Sequence, residues 1–274
     1  MEGNRIGMLG AGNMASALVR GLLASATLRP EQLRASDVRA EPLRRLEQEH
    51  GIVTHSDNRE LVTWANVVVL AVKPQGITAA LDSVADELSS EKLLISVAAG
   101  VPIDSLQARL RGPSRIIRVM PNTPALVLAG ATALAAGAHA TPGDLSLAVS
   151  LFDAVGRTAV VSESLMDVAT GLSGSGPAYV MIALEALADG AVRMGMPRDT
   201  ALLLAAQTLL GAAKLQLDTG EHPAVLKDRV TSPGGTTAAG LQALETGGLR
   251  AALINAVVAA TERGRELGAL AKGK

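Results

Sequence analysis

A glycine-rich turn that directly follows a short apolar run restricts the fold of this chain more than any other feature of its sequence. The apolar run Ile6–Leu9 has the composition of a strand, and the residues after the turn have a helical pattern. In such a strand–turn–helix unit the first glycine makes the tight turn, the second lets a ligand approach the backbone, and the amino terminus of the helix attracts an anion. We therefore predict a dinucleotide-binding turn formed by Leu9, Gly10, Ala11, Gly12, Asn13 and Met14.

The first half of the chain alternates β-rich runs with helical patterns, which indicates a parallel sheet with crossover helices. Strands are predicted at Ile6–Leu9, Leu33–Asp37, Ile52–Thr54, Val67–Val72, Leu93–Val97 and Ile116–Val119, with edge strands at Thr132–Ala135 and Thr158–Val161. After Val161 the pattern is helical as far as Leu270, with interruptions at residues 171–177, Pro197, Pro223 and Pro233. We predict an α/β fold in which an N-terminal Rossmann-like dinucleotide-binding domain, residues 1–162, precedes an all-helical C-terminal dimerisation domain, residues 163–274.

The composition narrows the classes of protein to which the chain can belong. Its 274 residues exceed a typical single domain, and a formal net charge of −1 offers no basic field for a nucleic acid. The absence of cysteine excludes disulfides and thiolate catalysis, and the four histidines show no metal-ligand spacing, so no metal site is predicted. No signal peptide is visible before the first strand, and we expect a cytoplasmic protein.

The segment Ala201–Ala213 is the longest apolar run, and it is apolar around the whole circumference of a helix. Because Gln207 and Thr208 interrupt it, the run is too short to cross a bilayer, and no membrane partner is expected. A helical domain of this size can hardly bury such a helix by itself, since a surface helix needs only an apolar stripe. We therefore predict that the chain forms a homodimer unit, from which a higher homo-oligomer of dimers can be built. The alternative is a tightly packed monomeric bundle.

Residues at the end of the second predicted strand determine whether a site of this kind binds NAD or NADP. Asp37 can accept a hydrogen bond from a ribose hydroxyl, which favours NAD, whereas Ser36 with Arg39 can hold the additional phosphate of NADP. The loop Ala71–Pro74 leaves the carboxyl end of a central strand, where open α/β sheets bind ligands. These residues by themselves leave the choice of cofactor open.

Two further glycine-rich turns lie in the helical half of the chain, at Leu172–Tyr179 and Val230–Gly240. A turn that opens onto helix-forming residues aims free backbone amides at one point, so each turn predicts a seat for an anion. Neither turn contains His, Lys, Arg, Asp or Glu. Chemistry that needs a general base in these turns is therefore disfavoured.

Three motifs, at Val230–Gly240, Met120–Pro124 and Ala71–Gln75, occur together in this chain. They resemble pyrroline-5-carboxylate reductase, the enzyme that closes proline biosynthesis, and the resemblance runs nearly end to end. The resemblance implies an oxidoreductase that reduces 1-pyrroline-5-carboxylate, a cyclic imine, to L-proline with NAD(P)H. It favours NADPH over NADH, because a serine matching Ser36 and an asparagine matching Asn58 border the additional phosphate in this family.

The resemblance also implies the remaining site residues. Backbone contacts to the nicotinamide half of the cofactor are expected from Ala71, Val72, Lys73, Pro74, Val97, Ala98 and Ala99. The Thr237 hydroxyl is expected to reach the ring nitrogen as the catalytic partner, and the alternative is a helix-start role in which it satisfies a backbone amide. The other expected substrate contacts are Glu163, Ser175, Gly176, Ser232, Gly234, Gly235 and Thr236, with the carboxylate on the amides of residues 234–237.

Two other classes of function compete with this interpretation. β-Hydroxyacid dehydrogenases also join a Rossmann domain to a helical one, but they use a lysine on the helix after a glycine-rich turn. Here the helix after Pro177 carries Glu185, Asp189 and Arg193 and no lysine. A non-catalytic NADP-binding redox sensor would have no need of the carboxylate seat at Val230–Gly240.

Overall fold

The computed structural model describes residues 3–272, which form two compact units. The first unit comprises residues 3–175 and 259–272, and the second unit comprises Gly176–Val258. A boundary between residues 162 and 163 stays a prediction, because compactness by itself does not define a domain.

Within the described residues, eight strands form one sheet in the order β3-β2-β1-β4-β5-β6-β7-β8. The strands are β1 Ile6–Leu9, β2 Leu33–Ser36, β3 Val53–His55, β4 Val67–Leu70, β5 Leu93–Ser96, β6 Arg115–Met120, β7 Gly130–Ala136 and β8 Gly156–Val160. Neighbours among β1 to β6 are parallel, as predicted, whereas β7 is antiparallel to β6 and parallel to β8. The prediction of two edge strands is wrong for β7, because β7 fills the place between β6 and β8.

The sheet of the first unit is covered on both faces, which explains the continuous apolar runs of its central strands. Alternate residues of β4 enter two different cores, with Val67 and Val69 in one and Val68 and Leu70 in the other. Helices α1 Asn13–Ala24, α2 Ala40–His50 and α6 Pro142–Asp153 cover the first face. Helices α3 Asn58–Trp64, α4 Ile77–Asp82 and α5 Ile103–Gln107 cover the second, and α7 Met166–Ala169 follows the last strand.

The second unit is helical, as the sequence predicts. It contains α8 Gly176–Arg193, α9 Arg198–Thr219, α10 Pro223–Arg229 and α11 Thr236–Thr246, and α12 Leu249–Lys272 begins in it and continues into the first unit. Pro197 is the N-cap of α9 and Pro223 is the first residue of α10, positions where proline's missing N–H costs no helical hydrogen bond. Small residues allow α8 and α9 to pack closely through Ala188, Ala201 and Ala205.

Helix α9 leaves most of its apolar surface uncovered within the single chain. Leu203 is 67% exposed and Leu210 is 59% exposed. Among the described residues, α9 and the bent pair of α11 with α12 up to Leu270 meet the length and hydropathy criteria for a membrane-crossing helix. The length argument against a membrane span is thus wrong: α9 extends over 22 residues, and Thr208 does not interrupt it because its hydroxyl donates to the Leu204 carbonyl.

Candidate functional site

A cleft of about 970 Å³ opens in the first unit where β1, β2 and β4 end, and we call it the cofactor cleft. This is the edge at which open parallel sheets bind ligands. Its lining includes the predicted residues Leu9, Gly10, Gly12, Asn13, Met14, Ser36, Asn58, Ala71, Val72, Lys73 and Val97. The lining does not include Ala11, Ala98 or Ala99, of which Ala11 and Ala98 are buried beside it. The Pro74 side chain lies outside the part of the chain that the structure describes. The cleft is also lined by four residues that were not predicted from the sequence, Gly76, Ala79, Ala80 and Ser83.

The two glycines of the first turn have different physical roles. Gly10 has a φ of +104°, and a Cβ atom built there would lie 2.8 Å from the Ala71 carbonyl oxygen, so the fold itself requires glycine. Gly12 has an ordinary extended backbone, with φ −75° and ψ −173°, and a Cβ atom there would meet no atom within 4 Å. The absence of a side chain at Gly12 therefore leaves open space at the amino terminus of α1, where a pyrophosphate fits.

Asp37 anchors the glycine-rich turn to the end of β2. Its Oδ2 accepts a hydrogen bond from the Ala11 amide at 2.9 Å, and its Oδ1 accepts from the Arg39 amide at 2.9 Å and from Arg39 Nε at 3.2 Å. Burial by itself would raise the pKa of Asp37, but the hydrogen bonds from Arg39 and the Ala11 amide outweigh burial and lower it below its ordinary value. The carboxylate is thus already engaged, unlike that of a solvated turn residue.

Ser36, Asn58 and Ser83 form a chain of hydrogen bonds along one wall of the cofactor cleft. The buried Ser36 hydroxyl donates to Asn58 Oδ1 at 2.9 Å, and Asn58 Nδ2 donates to Ser83 Oγ at 3.1 Å. The Arg39 side chain, 63% exposed, lines the same cleft. The fold therefore brings a serine, an amide and a guanidinium together. Ser83 follows α4 without any local motif, so only the tertiary fold identifies it.

The Glu163 carboxylate is held by groups of the first unit. Its Oε1 accepts a hydrogen bond from the Ile103 amide at 2.6 Å and lies 3.5 Å from Arg118 Nη1. The Arg118 side chain is only 5% exposed and is also 3.4 Å from Asp167 Oδ1. Because Ile103 begins α5, shortly after Ala99, these contacts support the loop that follows β5. The predicted contact between Glu163 and the substrate stays a prediction.

The turn at Leu172–Tyr179 is not a helix start with free amides, and the prediction of an anion seat there is wrong. Residues Thr170–Gly174 form a π-helical turn between α7 and α8, which we call the π turn. The Ser175 amide, which would have to be free in an anion seat, donates to the Thr170 carbonyl at 2.9 Å. The physical reason is that the chain is already helical before the glycines, so the turn has carbonyl acceptors within reach. Ser175 and Gly176 lie where the π turn passes into α8.

The turn Ser232–Thr237, which we call the carboxylate turn, does open onto a helix. Gly235 is the N-cap of α11, Gly234 has a φ of +68°, and a Cβ atom on Gly235 would collide with Ser232 Oγ. The first turn of α11 presents amides that have no partner within the helix, as at any helix amino terminus. The Gly235 amide is not one of the free donors, because it donates to the Ser232 carbonyl at 3.0 Å, so the prediction of four carboxylate-binding amides is wrong for Gly235. Within the described residues neither Thr236 nor Thr237 has a side-chain hydrogen bond, and the cap position belongs to Gly235, so Thr237 does not have the alternative helix-start role. Thr237 is half-buried and Thr236 is exposed.

Comparisons with known proteins agree along the whole chain. Residues 163–267 match a family model described as pyrroline-5-carboxylate reductase dimerisation, and residues 5–100 match one described as NADP oxidoreductase coenzyme F420-dependent. A pyrroline-5-carboxylate reductase of Methanosarcina acetivorans is 50% identical over 98% of this chain and 99% of its own length. One of Arabidopsis thaliana is 48% identical over 97% of this chain and 96% of its own length.

Solved structures give the same result. The pyrroline-5-carboxylate reductase of Coxiella burnetii superposes with a TM-score of 0.93 at 41% identity, covering 96% of this chain and 98% of that one. The Plasmodium falciparum pyrroline carboxylate reductase, solved with NADP bound, superposes with a TM-score of 0.86 at 32% identity, covering 98% and 99%. On this similarity in sequence and fold, the chain belongs to the pyrroline-5-carboxylate reductase family.

Proposed function

We propose that the protein reduces 1-pyrroline-5-carboxylate to L-proline with NADPH, the final step of proline biosynthesis. The observation that carries this proposal is the carboxylate turn, which offers backbone amides and two threonine hydroxyls that make no hydrogen bond within the described residues, but no ionisable side chain. Such a turn suits a substrate that is an anion and whose reaction needs no general base. The membership of the family, established over nearly the full length, supports the same reaction.

The cofactor cleft suits NADPH. We assign the additional phosphate to Ser36 and Asn58, with Arg39 as a neighbouring charge, and the pyrophosphate to the open space at Gly12. Asp37 is less suited to a ribose hydroxyl, because its carboxylate already accepts from Ala11 and Arg39. When bound, NADPH supplies the hydride. NADH is the alternative donor, and the relative from Plasmodium falciparum was solved with NADP.

The protein's contribution to catalysis is positioning and preorganised dipoles. The amides of Gly234, Thr236 and Thr237 hold the substrate carboxylate at the amino terminus of α11, where the helix dipole favours negative charge. Gly235 borders the carboxylate without donating to it, because its amide already donates to the Ser232 carbonyl at 3.0 Å. The Thr237 hydroxyl hydrogen-bonds the ring nitrogen. A protonated imine nitrogen makes the adjacent carbon electrophilic, so no side chain has to remove a proton before hydride transfer.

Further residues complete the proposed site. The loops Ala71–Pro74 and Val97–Ala99 contact the nicotinamide half of the cofactor. Ser175, Gly176, Ser232 and Glu163 border the substrate. The free hydroxyl of Ser175 supports its assignment, because within the described residues it makes no hydrogen bond, while its amide is used by the π turn.

The proposed assembly is a homodimer unit in the cytoplasm, which a higher homo-oligomer of dimers can extend. The exposed apolar surface of α9, including Leu203, Leu204 and Leu210, supports cover by a second copy of the chain. The family model matched by residues 163–267 carries dimerisation in its description. We propose no membrane and no nucleic-acid partner, and the net charge of −1 supports the latter.

A direct assay tests the proposed function. Purified protein is mixed with 1-pyrroline-5-carboxylate and either NADPH or NADH, and loss of the reduced nicotinamide is compared with the amount of proline formed. We expect equal amounts of cofactor consumed and proline formed, with NADPH preferred. Protein that binds NADPH but forms no proline would contradict the proposal and leave the redox sensor as the better description.

A further inference from the structure

The Asn122 side chain, which has no part in the proposed reaction, makes a hydrogen bond to the π turn from the segment that follows β6. Asn122 Nδ2 donates to the Ser173 carbonyl at 3.0 Å, and its Oδ1 accepts from the Ala131 amide at 2.9 Å. The residue is 9% exposed and follows β6 closely, so both ends of its amide group are fixed by backbone. It therefore ties the π turn to the loop between β6 and β7.

The Ser173 carbonyl has a specific need for an external donor. In an α-helix it would accept from the amide four residues later, but that residue is Pro177, which has no N–H. Asn122 supplies a donor in place of the N–H that Pro177 lacks. Met120, the last residue of β6, also packs against the turn, since a Cβ atom built on Gly174 would lie 2.5 Å from Met120 Cε.

The π turn leaves one hydroxyl available. The Thr170 hydroxyl donates to the Met166 carbonyl at 2.9 Å, and the Ser173 hydroxyl donates to the Ala169 carbonyl at 2.9 Å. Ser175, whose amide closes the turn on Thr170, makes no side-chain hydrogen bond within the described residues. π-Helical turns inside α-helices are frequent at functional sites, because they turn a side chain out of the regular helical direction.

We propose that Asn122 is a positioning residue for substrate binding, because it fixes the π turn that orients the Ser175 hydroxyl toward the bound substrate. The inference rests on the proposed function, since Ser175 is assigned to the substrate there. Asn122 itself makes no proposed contact with the substrate or the cofactor.

The substitution Asn122→Asp isolates this role. It keeps the acceptor for the Ala131 amide and replaces the donor by an oxygen that repels the Ser173 carbonyl at neutral pH. Loss of a buried hydrogen bond of this kind predicts a KM for 1-pyrroline-5-carboxylate about tenfold higher, with the dissociation constant of NADPH unchanged. At a pH low enough to protonate the introduced carboxyl group, its O–H can donate to Ser173, and the defect relative to wild type should shrink.

The matched control is Asn66→Asp. Asn66 Oδ1 accepts from the Arg5 amide at 2.8 Å, and its Nδ2 donates to the Gly3 carbonyl at 3.1 Å. Like Asn122, Asn66 thus hydrogen-bonds backbone groups through both ends of its side-chain amide, but it is not bonded to the π turn. We expect its KM to equal that of wild type. Equal KM changes in the two variants would overturn the proposal, because the effect would then be a general loss of stability.

A double-mutant cycle with Ser175→Ala tests whether Asn122 acts through Ser175. If it does, the double variant Asn122→Asp/Ser175→Ala should have a KM close to that of the worse single variant; multiplied effects would overturn the proposal. Should Asn122→Asp not fold, Asn122→Gln replaces it in the cycle, with the same expectation.

Amide hydrogen exchange over residues 170–176 gives a readout without substrate. We expect about tenfold faster exchange in Asn122→Asp than in wild type and no change in Asn66→Asp. Unchanged exchange in Asn122→Asp would overturn the proposal. If exchange in Asn122→Asp is faster as expected but the wild-type protein forms no proline, only the proposed reaction is overturned.

Discussion

Replacing Gly12 by valine should remove cofactor binding while leaving the fold nearly as stable as before. The backbone at Gly12, φ −75° and ψ −173°, is open to any residue, and a Cβ atom there would contact nothing within 4 Å. Valine is a poorer N-cap residue than glycine, which costs about 0.5–1 kcal/mol, and the lower entropy of the unfolded chain offsets about the same amount. We therefore expect the free energy of unfolding to change by less than about 1 kcal/mol.

The effect on NADPH should be much larger, because the valine side chain would occupy the space assigned to the pyrophosphate. Loss of two hydrogen bonds to a charged group, at about 1.5–3 kcal/mol each, predicts a dissociation constant more than about 100-fold higher. Calorimetric titration with NADPH, together with a thermal melt of the same sample, measures both quantities. A well-folded Gly12→Val variant with unchanged NADPH affinity would refute the assignment of the cofactor cleft.

Gly10→Ala is the matched comparison in the same turn. With φ at +104° and the Ala71 carbonyl oxygen 2.8 Å from the new Cβ atom, backbone strain and crowding together should cost about 2–5 kcal/mol of stability. The two variants should therefore show opposite patterns: Gly10→Ala lowers the melting temperature, whereas Gly12→Val lowers the affinity for NADPH. A variant at Gly10 that melts like wild type would contradict the close packing of β1 against the loop after β4.

Three further outcomes are expected. Thr237→Ala should lower turnover about ten- to a thousandfold with NADPH binding intact, and Thr236→Ala should lower turnover less. If steady-state kinetics show the larger loss for Thr236→Ala, the assignment of the catalytic threonine is one residue out of register. Leu204→Lys should break the dimer and destabilise the fold, whereas sedimentation of the wild-type chain as a stable monomer at micromolar concentration would refute the proposed interface. Since the pKa of Asp37 is lower in the folded protein, its contribution to stability is present above its ordinary pKa and is lost as pH falls through the folded value. Asp37→Asn should remove this acid-dependent part, and denaturation curves that keep the same pH dependence in both proteins would contradict it.

The strands were predictable because their pattern is local. Ile6–Leu9 is followed at once by the glycine that ends it, and its boundaries were predicted correctly. The strand predicted at Val67–Val72 is present because its residues are apolar on both faces, but β4 ends two residues earlier, at Leu70. The order of β6, β7 and β8 was not predictable in this way. Whether β7 lies at the edge depends on its pairing with two strands, and no residue of β7 marks that pairing.

The π turn shows where local reasoning reaches its limit. Gly171, Ser173 and Gly174 are poor helix formers, so their sequence predicts a break. In the structure the chain stays helical, with the Ser175 amide donating to the Thr170 carbonyl and with Asn122, 51 residues away from Ser173, donating to the Ser173 carbonyl. The donor is anchored on a different element, and no pattern within residues 170–177 reports it.

Asp37 illustrates the same limit in the cofactor cleft. From the sequence it is equally suited to a ribose contact and to a turn, because both uses need only a carboxylate at the end of β2. The choice depends on the Ala11 amide, which the fold brings within 2.9 Å of its Oδ2 atom. Ser36 and Asn58 are likewise brought together by the fold, although their roles toward the cofactor stay predictions.

Transfer of an isotopic label tests the central claim most directly. Purified protein is incubated with 1-pyrroline-5-carboxylate and NADPH that carries deuterium at the transferable position, and the proline formed is analysed by NMR and mass spectrometry. We predict one deuterium per proline, at the ring carbon next to nitrogen that belonged to the imine, and loss of labelled product in the Gly12→Val variant. Proline without deuterium, or no proline from protein that binds NADPH, would contradict the account.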